Sequence, residues 1–397
     1  MAAGKNTHLE HLEDEIINKG TQGGQQAIDI LKEMGKFLSG NSSSAVSLTT
    51  KWDGAPAIVC GIDPEDGQFF VGTKSVFAKT KPKICKSVQD VQKLYDGALV
   101  EKLTKCYTYL KDVVTSGVLQ GDLMFTDDKK YESIDGKRYI VFRPNTITYA
   151  AEVGSGLADE INKAKLGIVF HTKYNGKTLP EMTSSFNVKQ SDFKKTPETW
   201  VQEAKFKNIG NAASFTTGEK SQYDATVRKA EGSLRQTRGV LDFIQSGKKT
   251  LQIDTEFKKF FNNYVKNGMS IPSVETAYRE FSKHLEKEFK KAIDKLKTSA
   301  AQERKQAELI EMLSEYKNKS REFKMLIATY MNLQAAKMLL VKKLKKISQL
   351  NLFVDMGNGD YKATTPEGFV AIQGRNAVKL IDRLEFSKLN FQIPKNW

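Results

Sequence analysis

Apolar residues recur at helical spacing through the first forty positions: Leu9, Leu12, Ile16 and Ile17, then Ala27, Ile28, Ile30, Leu31, Met34 and Leu38. Gly20 and Gly40 interrupt that pattern, so it predicts two helices packed on the core of the chain. After the loop Gly40-Asn-Ser-Ser-Ser-Ala the texture changes. Ser47 to Gly61 reads as strand, turn, strand, and Gln68-Phe-Phe-Val-Gly-Thr-Lys as another strand behind the Glu65-Asp-Gly turn. A helical stripe runs through Val91, Leu94, Leu99, Leu103, Tyr107, Leu110 and Val113. Strands return at Val118–Phe125, Tyr139–Phe142, Ile147–Ala150 and Leu166–Tyr174.

From about residue 197 to 350 the pattern is helical and rich in Lys and Glu, with Phe257, Phe260, Phe261 and Val265 on one short apolar stripe. Strand texture resumes at Gly368-Phe-Val-Ala-Ile-Gln, turns at Gly374-Arg-Asn and closes with Ala377-Val-Lys-Leu-Ile. The pattern describes an α+β chain whose last strands rejoin the first β region, with a basic all-α lobe inserted before them. Its parts are N-terminal helices over 1–40, a first core segment over 41–196, the helical lobe over 197–350 and closing strands over 351–397. Phe386 to Trp397 read as an ordered tail.

Composition narrows the function classes. The 397 residues carry 62 Lys+Arg against 47 Asp+Glu, a formal +15, which favours a polyanionic partner. No apolar run approaches a membrane span, and the N-terminus lacks a signal-peptide core. Cys60, Cys85 and Cys106 form no CxxC pair, so buried free thiols in a reducing compartment, the cytoplasm, are expected. His8, Glu10, His11 and Glu13 read as a solvated helix face, with metal binding as the alternative. The cluster Lys342-Lys-Leu-Lys-Lys reads as a phosphate-contacting patch.

The sharpest local chemistry is Lys51-Trp52-Asp53-Gly54 at a strand end. A lysine that attacks an α-phosphorus must be neutral, which calls for a pKa depressed by burial or nearby positive charge. The glycine allows close backbone approach and the acid can position lysine or sugar. Other pieces come after it in order: Lys74 in Val71-Gly-Thr-Lys-Ser-Val, Asp122 in Leu119-Gln-Gly-Asp-Leu-Met-Phe, Pro144-Asn-Thr-Ile-Thr-Tyr, Phe170 in Gly167-Ile-Val-Phe-His-Thr, Glu367-Gly-Phe-Val and Val378-Lys379-Leu-Ile-Asp.

This series resembles the motifs of the covalent nucleotidyltransferase superfamily, the ATP-dependent DNA ligases, RNA ligases and mRNA capping enzymes. It is most similar to phage-type RNA ligases and to a group of tailed-phage proteins carrying Lys51-Trp-Asp-Gly-Ala-Pro-Ala-Ile. The resemblance implies antiparallel sheets with flanking helices around one ATP pocket and AMP carried on Lys51. By the same resemblance Thr50, Asp53, Gly54 and Lys74 would contact the nucleotide. Asp122 and Glu367 would hold Mg²⁺ or Mn²⁺, and Phe170 would stack on the purine, with Phe142 as the competing stacker. His171 falls where many members have Asp. Lys379 would neutralise the α-phosphate; the family's second lysine is replaced by Ile381, leaving Arg383 or Arg375 as substitutes.

Too few residues follow Lys379 for the OB domain of DNA ligases and capping enzymes. The expected function is therefore ATP-dependent joining of RNA 5′-phosphate and 3′-hydroxyl ends, with the basic lobe holding the strand and, for a phage protein, the host cytoplasm as its location. The alternatives are a DNA-strand ligase, a non-catalytic nucleic-acid-binding protein of the same fold, and nucleotide transfer to a protein side chain.

Overall fold

The computed structural model describes residues 9–40, 45–205, 214–245, 253–345, 351–357, 360–363, 367–374 and 376–387. Along the chain, β1 (Glu10–His11) leads through a tight turn into α1 (Glu15–Phe37). Then come β2 (Val46–Lys51), β3 (Ala57–Ile62), β4 (Phe69–Gly72), α2 (Val88–Leu94) and α3 (Ala98–Leu110). A run of strands continues the chain: β5 (Val118–Phe125), β6 (Lys130–Ile134), β7 (Lys137–Phe142) and β8 (Ile147–Glu152), then α4 (Gly156–Lys163), β9 (Leu166–Asn175), β10 (Thr183–Ser185) and β11 (Thr199–Glu203). The helical insert comprises α5 (Thr217–Leu234), α6 (Arg238–Gln245), α7 (Ile253–Lys266), α8 (Val274–Asp294), α9 (Ser299–Asn318) and α10 (Ser320–Leu344). The chain returns to strands in β12 (Asn351–Gly357), β13 (Asp360–Ala363), β14 (Gly368–Gln373) and β15 (Asn376–Ile381).

The strands form three sheets, ordered β1-β15-β14-β2, β10-β9-β5-β3-β4 with β11 beside β9, and β13-β12-β8-β7-β6. Apart from the parallel pairs β1–β15 and β9–β11, the pairings are antiparallel. The expected return of the last strands is observed: β14 inserts between β2 and β15, and β12 pairs with β8. The fold is thus mixed α+β with a large all-helical insert before the closing strands.

Alternation along the first sheet divides its faces. Val46, Leu48, Phe369, Ala371, Val378 and Leu380 enter one apolar core with α1 and the helical insert. Thr49, Lys51, Val370 and Lys379 take the opposite face and line a cavity. The apolar stripe Phe257, Phe260, Phe261 and Val265 is buried as expected, with Phe257 stacked on Phe281 at 4.0 Å. A second core, containing Ile58, Leu103, Leu110, Leu119, Ile168 and Phe170, lies between the middle sheet and α2–α3. It also holds all three cysteines as buried free thiols. Burial pushes the Cys85 thiol up to about 11 and the Cys106 thiol up to about 12. No helix among the described residues is long and apolar enough to cross a membrane.

Two expectations change. The first predicted helix begins later: Glu10–His11 is β1 and Leu12–Asp14 a 3-10 turn, and the helix proper starts at Glu15. Gly20 interrupts it as expected: the backbone there leaves helical geometry (φ +61°, ψ −141°), so α1 consists of two helical segments, one on either side of the predicted stop. The insert begins at Thr217, where Thr216 and Glu219 form a capping box, not near 197, because Thr199–Glu203 is a strand of the middle sheet. The tail from 388 onward lies outside the described residues.

Of the N-terminal group expected on a solvated helix face, Glu10 and His11 instead form β1, half-buried, and Glu13 does not face solvent. Glu13 is fully buried and accepts two hydrogen bonds from Lys337 of α10, at 2.7 and 2.9 Å. Asp14 accepts from Tyr330 at 2.9 Å and from Arg383 at 3.3 Å, and Arg383 also donates to Asn262 of α7. This network ties the chain's start, the insert and the end of β15 together; His8 lies outside the described residues. Removing one member of a buried ion pair leaves the other charge uncompensated. Lys337→Met should therefore cost about 3–5 kcal/mol of unfolding free energy, with Glu13→Leu/Lys337→Met recovering much of it, as read from urea denaturation midpoints.

Candidate functional site

The pairing of β2 with β14 builds the site. Lys51 lies opposite Gly368, while Thr49 and Lys379 both lie opposite Val370. Glu367, one residue before β14, comes alongside Lys51, and the Lys51 ammonium donates to the Glu367 carboxylate across a sequence separation of 316 residues. Glu367 is buried and Lys51 is partly exposed toward the cavity. Burial alone lowers an amine's pKa; here the charges of Glu367 and Asp122 and the Glu367 hydrogen bond outweigh it and hold Lys51 above the ordinary lysine value. Burial raises the Glu367 carboxyl against the pull of Lys51. Lys379 is pushed the other way, by burial and then by repulsion from Lys51. The expectation of a depressed Lys51 pKa is thus reversed in this arrangement, because the neighbouring carboxylates keep the proton on the amine.

The facing wall comes from β5 and β9. Asp122 is on β5, and His171 Nε2 lies 3.5 Å from Asp122 Oδ1. The other imidazole nitrogen, Nδ1, shares a 2.7 Å hydrogen bond with Thr172 Oγ1. The β5–β9 register slips here: Gln120 faces Thr172 and Gly121 faces Phe170, leaving His171 as the extra residue of a bulge. His171, Thr172 and Tyr174 line the cavity as a result, whereas Phe170 turns into the core. Lys74 stands at the exposed rim in a 3-10 turn, Lys74–Phe77, capped by Thr73. Partial burial lowers its pKa against the attraction of Asp122. Trp52, Phe186 and Tyr174 add aromatic surface, and Tyr174 donates to Gln120 Oε1 at 2.6 Å. The cavity measures about 260 Å³, close to the lower end of small-ligand clefts.

Of the residues expected here, Thr50, Lys51, Lys74, Asp122 and Lys379 line the cavity, and Glu367 reaches it through Lys51. Asp53, Gly54, Phe170, Phe142 and Arg383 do not line it. Asp53 is buried and accepts from Asn145 Nδ2 at 2.7 Å, Thr146 N at 2.7 Å and Ile147 N at 2.9 Å, while its own N–H donates to Tyr149 Oη at 2.8 Å. The carboxylate is therefore saturated by the turn before β8. Gly54 acts through packing: a Cβ there would lie 2.5 Å from Asp122 Cβ, so the glycine lets the Lys51 loop approach β5. Phe170 is fully buried, 5.5 Å from Phe193, and its rival Phe142 is buried against Tyr149 and Phe125. Neither stacks on a cavity ligand. Arg383 is committed to Asp14, Tyr330 and Asn262, Ile381 is buried, and Arg375 lies outside the described residues.

The aromatics that do reach the cavity carried little sequence signal. Trp52 sits inside the Lys-Trp-Asp-Gly phrase, but Phe186 lies in an irregular stretch after β10, with no periodicity to mark it. In the Lys342-Lys-Leu-Lys-Lys cluster, Lys343 pairs with Glu219 at 2.7 Å and Lys345 pairs with Glu385, while Lys346 lies outside the described residues. Among the described residues no three His, Cys, Asp or Glu side chains are grouped to hold a metal. The residues expected to hold a divalent ion, Glu367 and Asp122, are thus not part of such a group.

The chain belongs to the family of unknown function DUF6267, matched over residues 6–395. No curated protein and no solved structure matches it.

The two kinds of residue separate by stability. Asp53→Ala strips the buried Thr146 and Ile147 N–H groups of their acceptor and should cost about 2–5 kcal/mol. Lys74→Ala, at the rim, should stay within about 0.5 kcal/mol of the parent in the same urea titration.

Proposed function

We propose that this DUF6267 chain is an ATP-dependent nucleotidyltransferase of the ligase type that forms lysyl-AMP on Lys51 and joins RNA 5′-phosphate and 3′-hydroxyl ends. The observation that carries the reading is the direct pairing of Lys51 with Glu367, in a cavity also lined by Lys379, Lys74 and Asp122. A nucleophilic amine, cations for phosphates and acids for a divalent ion are the groups this transfer requires.

In the reaction the Lys51 ammonium loses a proton to solvent, and the neutral amine, positioned by the Glu367 carboxylate, attacks the α-phosphorus. A P–N bond forms, the bond from the α-phosphorus to the bridging oxygen breaks, and pyrophosphate leaves with the electron pair. Lys379 and Lys74 offset the phosphate charge. Their lowered pKa values, with burial as the leading cause for both, mark ammonium groups only partly compensated by carboxylates, so phosphate is a suitable partner. A divalent ion supplies charge neutralisation at the phosphates when bound, and Asp122 is the carboxylate that would hold it, Glu367 being engaged by Lys51. Transfer of AMP to a 5′-phosphate and displacement by a 3′-hydroxyl complete the joining. Basic positions on the helical insert are the proposed contacts for the strand.

A second reading, a nucleic-acid-binding protein of the same architecture without transfer, is favoured by one observation. Ile381 and Arg383, the positions after Lys379 considered for a second cation, contribute none to the cavity.

Incubation with α-labelled ATP and Mg²⁺ or Mn²⁺ tests the proposal. The parent should take up label, Lys51→Ala none, and Glu367→Ala at least about 100-fold less. An unlabelled parent, or a labelled Lys51→Ala chain, removes the catalytic reading. RNA joining, compared with nicked-DNA joining, decides the substrate.

A pH profile is a further check. The amine reacts only when neutral and its pKa is held above the ordinary lysine value, so initial label uptake should rise about tenfold per pH unit from pH ~6 to ~9. A flat profile contradicts the proton's placement on Lys51.

A further inference from the structure

We infer that Asp122 and His171 are the protein half of a divalent-cation site that takes a first-row transition ion in preference to Mg²⁺. The site depends on the proposed function only for the remaining ligands, which would be phosphate oxygens and water.

His171 Nε2 and Asp122 Oδ1 are 3.5 Å apart on adjacent strands, both partly exposed on the cavity wall. Metal–ligand bonds of about 2.1 Å set two donors about 3.0 Å apart at an octahedral edge and about 3.4 Å apart at a tetrahedral one. The observed gap therefore admits one ion with little movement. It is also too long for a good direct hydrogen bond.

The orientation of the ring points the same way. Metal-binding imidazoles characteristically use the second nitrogen in a hydrogen bond that fixes the tautomer. Here Nδ1 meets the Thr172 hydroxyl at 2.7 Å, and Thr172 is itself 4% exposed. In the tautomer with Nδ1–H donating to that hydroxyl, the Nε2 lone pair faces a carboxylate oxygen. Two acceptors then oppose each other across a space that a cation fills. The bulge at His171 is what puts Thr172 on the same face as the ring, since uninterrupted alternation from Phe170 would return Thr172 to the core side of β9.

Both donors are available, and their types select the ion. Glu367 is engaged by Lys51, whereas among the described residues no lysine or arginine forms an ion pair with Asp122. An imidazole nitrogen beside a carboxylate favours Mn²⁺, Co²⁺ or Zn²⁺ over Mg²⁺, which prefers oxygen donors and retains its water.

The test uses the full chain with Mn²⁺ alone, without nucleotide, followed by electron paramagnetic resonance. One Mn²⁺ per chain should be retained against about tenfold excess Mg²⁺, with nitrogen hyperfine coupling in the pulsed spectrum. His171→Ala should abolish that coupling and weaken binding at least about tenfold. Thr172→Val should weaken binding about tenfold while keeping the coupling. Urea midpoints confirm that the variants are folded. Absence of Mn²⁺ binding, bound Mn²⁺ without nitrogen coupling in the parent chain, or unchanged binding in folded His171→Ala overturns the site. Label uptake on Lys51 is read separately. Uptake without nitrogen-coupled Mn²⁺ removes the metal site and leaves the proposed transfer; nitrogen-coupled Mn²⁺ without uptake does the reverse.

Discussion

The antiparallel pairing of β2 with β14 is the constraint on which the rest depends. It joins residues more than three hundred positions apart, and its register sets Lys51 opposite Gly368 with Glu367 beside it. Gly368 is required there, because a Cβ would lie 2.5 Å from the Leu380 carbonyl oxygen of the next strand. One face of the resulting sheet is apolar and sealed by α1 and the helical insert, so the other face is left to carry Thr49, Lys51, Val370 and Lys379 into the cavity. A slip of β2 by one residue would turn Lys51 into the apolar core and Leu48 out of it.

Closing the chain over such a distance carries a loop-entropy cost that the insert helps to offset. The insert shares a continuous core with the first sheet, and the Glu13–Lys337 and Asp14–Tyr330–Arg383 contacts fasten it to both ends of the chain. Buried ion pairs add little net stability over apolar packing but penalise wrong arrangements heavily. The network therefore acts mainly as a registration device for β1, α10 and the turn after β15. Lys337, Lys343 and Arg383 are each paired with a carboxylate, so these basic residues are structural and add nothing to the net +15.

Legibility in the sequence depends on the range of the forces involved. Strands with strong alternation and clear turns, such as Val118–Phe125 and Gly368–Gln373, have the bounds that their pattern predicts. Lys51, Lys74, Asp122, Lys379 and Glu367 could be singled out because each sits in a short phrase at a strand or strand end, and all converge on one place. Phe170 failed as a cavity residue because a single bulge reverses the side on which the next residues emerge. Asp53 and Arg383 failed because nearby donors and acceptors, distant in sequence, satisfy them elsewhere.

By itself the sequence determined the α+β class, the return of the last strands, the buried Phe stripe and the identity of the charged groups available for chemistry. These depend on local periodicity and residue type. The tertiary structure alone decided that Lys51 holds its proton against Glu367, that His171 rather than Phe170 faces the cavity, and that the N-terminal acids bind Lys337 and Arg383 instead of water. Each of these turns on which charge or which strand lies within a few ångströms, and that is set by register and burial across hundreds of residues, which no local pattern encodes.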